Sequence, residues 1–458
     1  MKPIKFYIVL ALAKMARVAL KIIRRDATYF PGKLAVTLCP DFLGYIEKPK
    51  TIIGVTGTNG KTTVCNMISD ILTDNGYDIV NNMLGANINA GVATSLIENS
   101  TLTGKAKKQL GVLELDERSA VKIYPYVTPT YLVGTNLFRD SIKRNAHTEF
   151  IADILTKYIP KETTLLLNGD DLITSNLAPE NARKYFSIGR LETDTEECRN
   201  IVRDITVCPK CRAKLEYEYV RYNHIGKAHC TKCDFASPAP DYLVSDIDVE
   251  NKTMQLTMKD GTQETYYLVS NNIINIYNQL AAVTAVKQLG LTHEQIENSL
   301  RKLKIVDTRF QKETVNGTDI ILHLAKGMNP IACSRAFDYV TIEKGKKSVI
   351  LLLDDLHEAQ SGTENSTWIY DTDYEFLRDE SIEQIVVAGP RYMDSKLRLQ
   401  IAGVPADKIV AIRNELDVVE HLKVDVDKIF VLHDLYAIAL ANGVKEKIEE
   451  KLKGKKSV

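Results

Sequence analysis

From Thr51 onward, short apolar runs alternate with stretches in which apolar residues recur every three or four positions. The short runs read as buried β-strands and the others as helices. Ile52–Val55 is the first strand, and Val64 to Asn75 has helical spacing with Asn75-Gly76 as its stop. Ile79-Val80, Gly111–Glu117, Tyr131–Asn136 and Thr164–Leu167 are the next strands. Strands alternating with helices predict a doubly wound α/β sheet. Residues 244–270 read as strands returning to the same body, and a helix opens near Asn275 and ends near Leu289-Gly290. Further on, Ser348–Leu353, Ile385–Ala388, Ile409–Ile412 and Lys428–Leu432 are apolar runs between helical stretches. They predict a second, smaller Rossmann-like layer. The tail from Lys445 mixes Lys and Glu and reads as a solvated helix. The expected division is a helical segment over 1–50, a central domain over 51–303 and a C-terminal domain over 304–458.

Residues 198–242 break this rhythm. Cys208-Pro-Lys-Cys211 is followed, after eighteen residues, by Cys230-Thr-Lys-Cys233. Leu215–Tyr222, between the pairs, alternates like a strand. Two thiolate pairs flanking strand-like chain predict an inserted zinc ribbon, and four soft sulfur ligands suit a closed, structural Zn²⁺ site. Unrelated free thiols and a redox pair are the alternatives. His224 and His229 lie inside the insert and offer substitute ligands, although four cysteines already suffice.

At 458 residues the chain is long enough for two or three cores. Its 59 Lys and Arg balance 59 Asp and Glu, so bulk charge gives no sign of nucleic acid binding. Eight cysteines, four of them paired and Cys39, Cys65, Cys198 and Cys333 scattered, fit a reducing, cytoplasmic compartment with one metal site. No apolar run approaches the roughly 20 residues that span a bilayer. Phe6–Ala13 is apolar, and Lys14, Arg17, Lys21 and Arg24 follow at helical spacing. Ala11-Leu12-Ala13 is like a signal-peptidase site, but eight apolar residues make a short signal core. An amphipathic helix is preferred, either packed on the body of the protein or touching an anionic membrane surface at the inner face of the plasma membrane. Packing is the favoured reading.

The chemistry begins at the end of the first strand, in Gly57-Thr58-Asn59-Gly60-Lys61-Thr62. Gly57 and Gly60 allow a tight turn whose N–H groups face phosphate oxygens at a helix start. Lys61 supplies positive charge for the outer phosphates, and the Thr62 hydroxyl is a Mg²⁺ ligand. The loop is shorter than the standard phosphate loop, since Val55 stands five residues before Gly60. Glu114, Asp116 and Glu117 sit at a predicted strand end, the edge of a parallel sheet where ligands bind. Glu114 is read as a ligand, with pairing to a surface Lys as its alternative. Asp116 and Glu117 are read as either ligands or solvated.

Together these features resemble the Mur ligase superfamily and, within it, the MurT subunits of MurT–GatD lipid II isoglutaminyl synthases. The resemblance rests on Gly57–Thr62, Leu113–Glu117, Thr135–Asp140, Leu167–Asp171, the four-cysteine insert and Asn275-x-x-Asn278-x-x-Ala-Ala. It extends through Leu324-Ala-Lys326 to Trp368-Ile-Tyr-Asp371-x-Asp373-Tyr-Glu375. It implies a Mur-ligase-type central ATPase domain carrying the ribbon, followed by the Rossmann-like domain. The activity implied is ATP-dependent phosphorylation of the D-glutamate α-carboxylate of the lipid II stem peptide. Ammonia from a GatD-like glutaminase partner then attacks, leaving D-isoglutamine. Lys61 and the loop amides would hold the β- and γ-phosphates, Thr62 and Glu114 the Mg²⁺, and Asn275 or Asn278 the adenine. Arg309 and Lys326 would face phosphates or the substrate carboxylate. Bland readings stand beside these: Asn275 and Asn278 as helix caps, Arg139 and Arg309 as ion-pair residues, Trp368 as a packing anchor.

The chain departs from the family in one chemically important place. The family has an Asp three residues before the Trp, which completes the partner's Cys-His-Asp triad. Here that position is Asn365; Glu364, one residue earlier, is the candidate to take over that role with a small loop shift, and Asp355 and Asp371 are the other nearby carboxylates. Asn accepts a hydrogen bond but cannot supply the negative charge that stabilises an imidazolium. Smaller departures are Ala146-His147 in place of Gly-Glu, and His323 where the Asn-Leu-Ala-Lys motif starts. A ligase that condenses an amino acid, and a nucleotide-binding scaffold, are the competing readings.

Overall fold

The computed structural model describes residues 2–83, 86–139, 147–303, 310–325, 327–353 and 366–454. The chain divides into two compact units. One holds Met1–Leu137, Thr148–Cys198 and Ile205–Ile305; the other holds Phe138–His147, Arg199–Asp204 and Val306–Val458.

The first unit opens with helices α1 (Ile4–Ile22), α2 (Phe30–Leu38) and α3 (Phe42–Tyr45). Phe6, Val9, Leu10 and Ala13 of α1 recur at helical spacing and are buried in a core with Phe42, Leu43, Leu96 and Ile97. Of the basic residues beyond them, Lys14, Arg17 and Lys21 reach the end of α5 (Asn89–Glu98), while Arg24 is exposed. Lys14 Nζ donates to the Ile97 and Ser100 carbonyls at 2.7 and 2.8 Å, and Arg17 pairs with Glu98. A cation there satisfies carbonyls that a helix C-terminus leaves unpaired. Packing, the favoured reading of this helix, is what the structure shows.

Behind this layer stands a nine-stranded sheet among the described residues. Its strands are β1 (Thr51–Thr56), β2 (Ile79–Asn81), β3 (Leu110–Glu114), β4 (Tyr131–Gly134), β5 (Thr164–Asn168) and β6 (Arg183–Ile188). The others are β9 (Tyr242–Asp248), β10 (Thr253–Met258) and β11 (Gln263–Tyr267), in spatial order β11-β10-β9-β6-β5-β4-β1-β3-β2. From β2 across to β9 every pairing is parallel; β10 and β11 extend the sheet antiparallel. β1 lies between β3 and β4, so the turns leaving these three strands share one carboxyl edge. Helices α4 (Lys61–Asp74), α6 (Ala120–Ile123), α7 (Thr148–Tyr158), α8 (Ile273–Lys287) and α9 (His293–Lys302) complete this body. β7 (Leu215–Tyr222) and β8 (Ile225–Cys230) form a separate antiparallel hairpin, the ribbon.

The strand expected to run to Glu117 stops at Glu114. The Asp116 carboxylate accepts the N–H groups of Arg118 and Ser119 at 3.1 and 3.0 Å and turns the chain into α6. β6 has no counterpart in the sequence reading, because Arg-Lys-Tyr-Phe-Ser-Ile is apolar only at its far end.

The second unit is a six-stranded sheet, again among the described residues. Its strands are β12 (Phe310–Val315), β13 (Thr318–Leu324), β14 (Lys347–Leu352), β15 (Ile382–Ala388), β16 (Ile409–Ile412) and β17 (Lys428–His433). The order is β12-β13-β17-β14-β15-β16, parallel except for edge strand β12. Helices α10 (Pro330–Ile342), α11 (Thr367–Asp371), α12 (Tyr392–Ile401) and α13 (Ile438–Gly454) belong to it. The expected Rossmann-like layer is therefore present. Trp368 is buried in its core with Phe337 and Leu377. The tail is not a merely solvated helix: Ala441, Val444, Ile448 and Leu452 of α13 are buried on one face. Arg139 is an ion-pair residue in this unit, its Nε 2.6 Å from Asp204 Oδ1.

Candidate nucleotide site and cysteine cluster

The turn from β1 into α4 has the geometry that its glycines allow. Gly57 and Gly60 have φ of 127° and 90°, a region costly for residues with a Cβ. A Cβ on Gly57 would stand 2.2 Å from Thr135 Oγ1, and one on Gly60 2.3 Å from Asn278 Oδ1. Helix α4 starts with Gly60 as its N-cap and no side-chain cap, so its first turn presents N–H groups suited to an anion. The loop is held from the end of β4. Asn136 exchanges two hydrogen bonds with the Asn59 backbone at 3.0 and 3.1 Å, Thr135 Oγ1 donates to Asn59 O at 2.7 Å, and Thr58 N donates to Asn136 O at 2.7 Å.

Two acidic side chains from the end of β3 and the turn after it meet this loop. Thr62 Oγ1 donates to Glu114 Oε2 at 2.8 Å, and Asn87 Nδ2 donates to Glu114 Oε1 at 2.9 Å. Asn82 brackets the Glu114 backbone, accepting its N–H at 2.8 Å and donating to its carbonyl at 2.9 Å. The two oxygens of Thr62 and Glu114 are a hard donor set matching Mg²⁺. Lys61 Nζ lies 2.8 Å from Glu117 Oε1 and 2.5 Å from Gly57 O, and Gly57 N donates to the same Glu117 oxygen at 3.1 Å. Burial works against the Lys61 ammonium, but Glu117, with Glu114 and Asp116 further off, outweighs it and holds the pKa above the ordinary amine value. The Glu117 carboxyl is itself pushed up by burial, against the pull of Lys61. The raised lysine, held against Glu117, stays ammonium.

Of the remaining expected residues, Asn275 and Asn278 both lie in the opening turns of α8, but neither caps it. The cap is Asn272, whose side chain accepts Ile274 N. Asn278 is buried against Gly60, and its Nδ2 lies 3.4 Å from Asn275 Oδ1. Arg309, Lys326, Glu364 and Asn365 lie outside the described residues, as do Asp355, Asp140 and Ala146. Glu117, expected to be either a ligand or solvated, is instead buried and paired with Lys61, and the roles of Asn136 and Asn87 are not assigned by sequence. Glu117 carried a signal, as the third acid of Glu-x-Asp-Glu, while Asn136 and Asn87 depend on which strands are neighbours. Gly60→Ala should cost about 1–3 kcal/mol of stability through its backbone conformation. It should also slow ATP turnover by about 10²-fold through the displaced Asn278 and loop; thermal unfolding and turnover assays measure the two effects.

The four cysteines converge at the ends of the ribbon. Their sulfurs all lie within 4.8 Å of one another, with Cys208–Cys233 at 3.5 Å and Cys211–Cys230 at 3.4 Å. Zinc–sulfur bonds of about 2.3 Å place tetrahedral sulfurs about 3.8 Å apart, so this donor set fits zinc. Lys232 N donates to Cys230 Sγ at 3.3 Å, a bond that favours thiolate. His224 is not grouped with the sulfurs: it is buried, with its Nε2 3.2 Å from Asp171 Oδ1. His229 is exposed on β8. The small core here is Leu172, Cys208, Leu215, Ala228, Cys230 and Phe235.

Arg221 of β7 ties the ribbon to the central body. Its guanidinium grips both Asp194 oxygens, at 3.1 and 2.7 Å, and reaches Asp170 Oδ2 at 3.3 Å and the Tyr277 hydroxyl. Tyr277 also donates to Asp170 at 2.5 Å. Tyr277 immediately precedes Asn278, so the buried network runs from the ribbon to the helix behind the phosphate loop.

The Mur ligase middle domain family matches residues 55–206, and the MurT ligase C-terminal family matches residues 324–438. Subunit MurT of the lipid II isoglutaminyl synthase (glutamine-hydrolyzing) of Staphylococcus aureus strain COL is 33% identical over 402 residues, 87% of this chain and 88% of that protein. The subunit from Streptococcus pneumoniae is 30% identical over 387 residues, 84% of each chain. Among solved structures, a pseudomurein peptide ligase type C from Methanothermus fervidus superposes with TM-score 0.64 at 22% identity, covering 90% of this chain and 81% of that one. MurF ligase from Thermotoga maritima, in complex with ADP, gives 0.56 at 16% identity, covering 93% and 85%. These structures share the fold, and near-full-length identity to the subunits gives the lineage: the chain belongs to the MurT family, built on the Mur ligase fold.

Proposed function

We propose that this chain is the ATP-using subunit of a lipid II isoglutaminyl synthase. The observation that carries the reading is the Thr62–Glu114 and Lys61–Glu117 constellation at the phosphate loop, in a chain collinear with MurT over 87% of its length. A carboxylate is a poor electrophile until one oxygen becomes a leaving group. The α-carboxylate of the stem-peptide D-glutamate attacks the γ-phosphorus of ATP, ADP departs, and an acyl phosphate forms. Ammonia attacks the acyl carbon, loses a proton and expels phosphate, leaving D-isoglutamine. Catalysis of the first step is positioning and neutralisation of charge. The loop amides and Lys61 hold the outer phosphates, and the Asn278 side of α8 closes the loop from behind. Thr62 and Glu114 would hold Mg²⁺, which supplies charge neutralisation between phosphates. Arg309 and Lys326 are proposed to face phosphate or the substrate carboxylate.

Zinc in the four-cysteine cluster is proposed as structural. Ammonia is proposed to come from a GatD-like glutaminase in a heterodimer, and the location is cytoplasmic, at the inner face of the plasma membrane. Asn365 favours a second reading, a ligase that works without the glutaminase and condenses an amino acid. Mass analysis of the product separates the two. Incubation with ATP, a D-glutamate-containing precursor and ammonia should exchange one hydroxyl for an amino group. A product enlarged by a whole residue would sink the amidation reading. With glutamine and the partner replacing ammonia, Asn365→Asp should raise glutamine-driven amidation if that position serves the triad.

A further inference from the structure

Helix α1 has a second apolar face. Ile4, Ile8, Ala11, Met15, Val18 and Ile22 follow one another at intervals of four and three residues, opposite the buried Phe6–Ala13 side. All six are exposed, Ile4 at 79%, Ile8 at 56%, Met15 at 59%, Val18 at 55% and Ile22 at 75%. Exposed Tyr7 and Leu12 widen this sector to about 140° at 100° per residue, along about 28 Å of helix. The segment that follows adds exposed Ile23, Tyr29 and Phe30. Among the described residues no helix is long and apolar enough to cross a membrane.

The charges around it are one-sided. The first forty residues of a chain that is neutral overall hold eight Lys and Arg against a single acid, Asp26. Lys14 and Arg17 are engaged with the end of α5, and Lys21 lies 3.6 Å from Glu98. Lys5, Arg24, Arg25 and Lys33 are exposed. A partner helix needs only a narrow seam of apolar positions. A broad uncharged sector with cations at its borders and aromatic residues nearby is what an anionic bilayer surface binds.

We propose that the outward face of α1 is a docking surface for an anionic lipid bilayer, lying in the plane of the headgroups. This explains an apolar face that the core does not use, on a helix whose other side is already buried. It rests on the proposed function for its purpose, since a substrate with a lipid tail is presented at that surface; the binding itself does not require the substrate.

The test uses the full chain, alone and with its glutaminase partner, against vesicles of mixed phosphatidylglycerol and phosphatidylcholine and against phosphatidylcholine alone. Cosedimentation with the anionic vesicles is expected, weakening with added salt. Ile8→Glu/Met15→Glu should lower vesicle affinity roughly tenfold or more, and Arg24→Glu/Arg25→Glu should reduce the preference for anionic vesicles. Because these side chains are exposed, thermal stability and amidation of a short-tailed, water-soluble precursor should be unchanged. Three results overturn the proposal: no binding by the unaltered chain, equal binding by the Ile8→Glu/Met15→Glu variant, or loss of binding when the partner subunit is added. Light scattering that finds a dimer, turned monomeric by the same variant, would give the face to a second copy instead. Failure to amidate the short-tailed precursor speaks against the function alone, since vesicle binding is read separately.

Discussion

Lys61→Met is expected to slow ATP turnover by roughly 10²–10³-fold while leaving a folded chain. The lysine is the one cation that lies directly on the loop among the described residues, 2.5 Å from Gly57 O and 2.8 Å from Glu117. Its loss also strands a carboxylate that is almost fully buried. Leaving that charge ionised would cost about 3–5 kcal/mol. Glu117, already pushed up by burial, relieves it by holding a proton. A carboxyl whose folded pKa is raised favours the folded state fully below its unfolded value, about 4, and loses that contribution as pH climbs through the folded value. The melting temperature of Lys61→Met should therefore fall between acid and neutral pH relative to the unaltered chain. Adding Glu117→Gln removes the ionisable group, so the double variant should recover stability at neutral pH without recovering turnover. Turnover restored by the double variant would show that Lys61 serves only to neutralise Glu117, and would withdraw it from phosphate binding.

That coupling marks where the sequence stops being legible. The phosphate loop, the buried strands and the two cysteine pairs are local signals: spacing, periodicity and residue type within a dozen positions. Each survives folding unchanged, so each was readable. The partners of the loop are not local. Glu117 reaches Lys61 across 56 positions and Asn136 reaches Asn59 across 77. Both contacts exist because β3 and β4 flank β1, and no pattern within β1 encodes its neighbours. Edge strand β12 is hidden for another reason: most of its side chains face solvent, so it has no apolar run. Helix α1 was half legible. Its basic residues stood out, but only the fold shows Lys14 and Arg17 turned onto α5 and an apolar stripe left outside.

Removing the zinc proposed for the four-cysteine cluster should have consequences beyond the ribbon. The purified chain is expected to hold about one zinc, and structural zinc contributes on the order of 10 kcal/mol to a segment this small. The ribbon contributes five residues to its small core, two of them the proposed ligands Cys208 and Cys230, and the sixth, Leu172, comes from the central body, so little apolar burial of its own remains once four thiolates lose a cation. Chelation under reducing conditions, or Cys208→Ser with Cys211→Ser, should expose the β7–β8 amides to hydrogen exchange. The effect should reach the phosphate loop. Arg221 leaves with β7, and Asp170 and Asp194, both buried, lose the guanidinium that pairs them. Tyr277 loses the same partner, and the next residue is Asn278, packed against Gly60. ATP affinity should therefore drop on chelation, although no zinc ligand touches the loop. Arg221→Met separates the links: it should keep the zinc and the exchange protection near the cysteines while weakening ATP binding. Full ATP affinity in that variant would show that the ribbon stabilises only itself, and that the nucleotide site feels the zinc only through global unfolding.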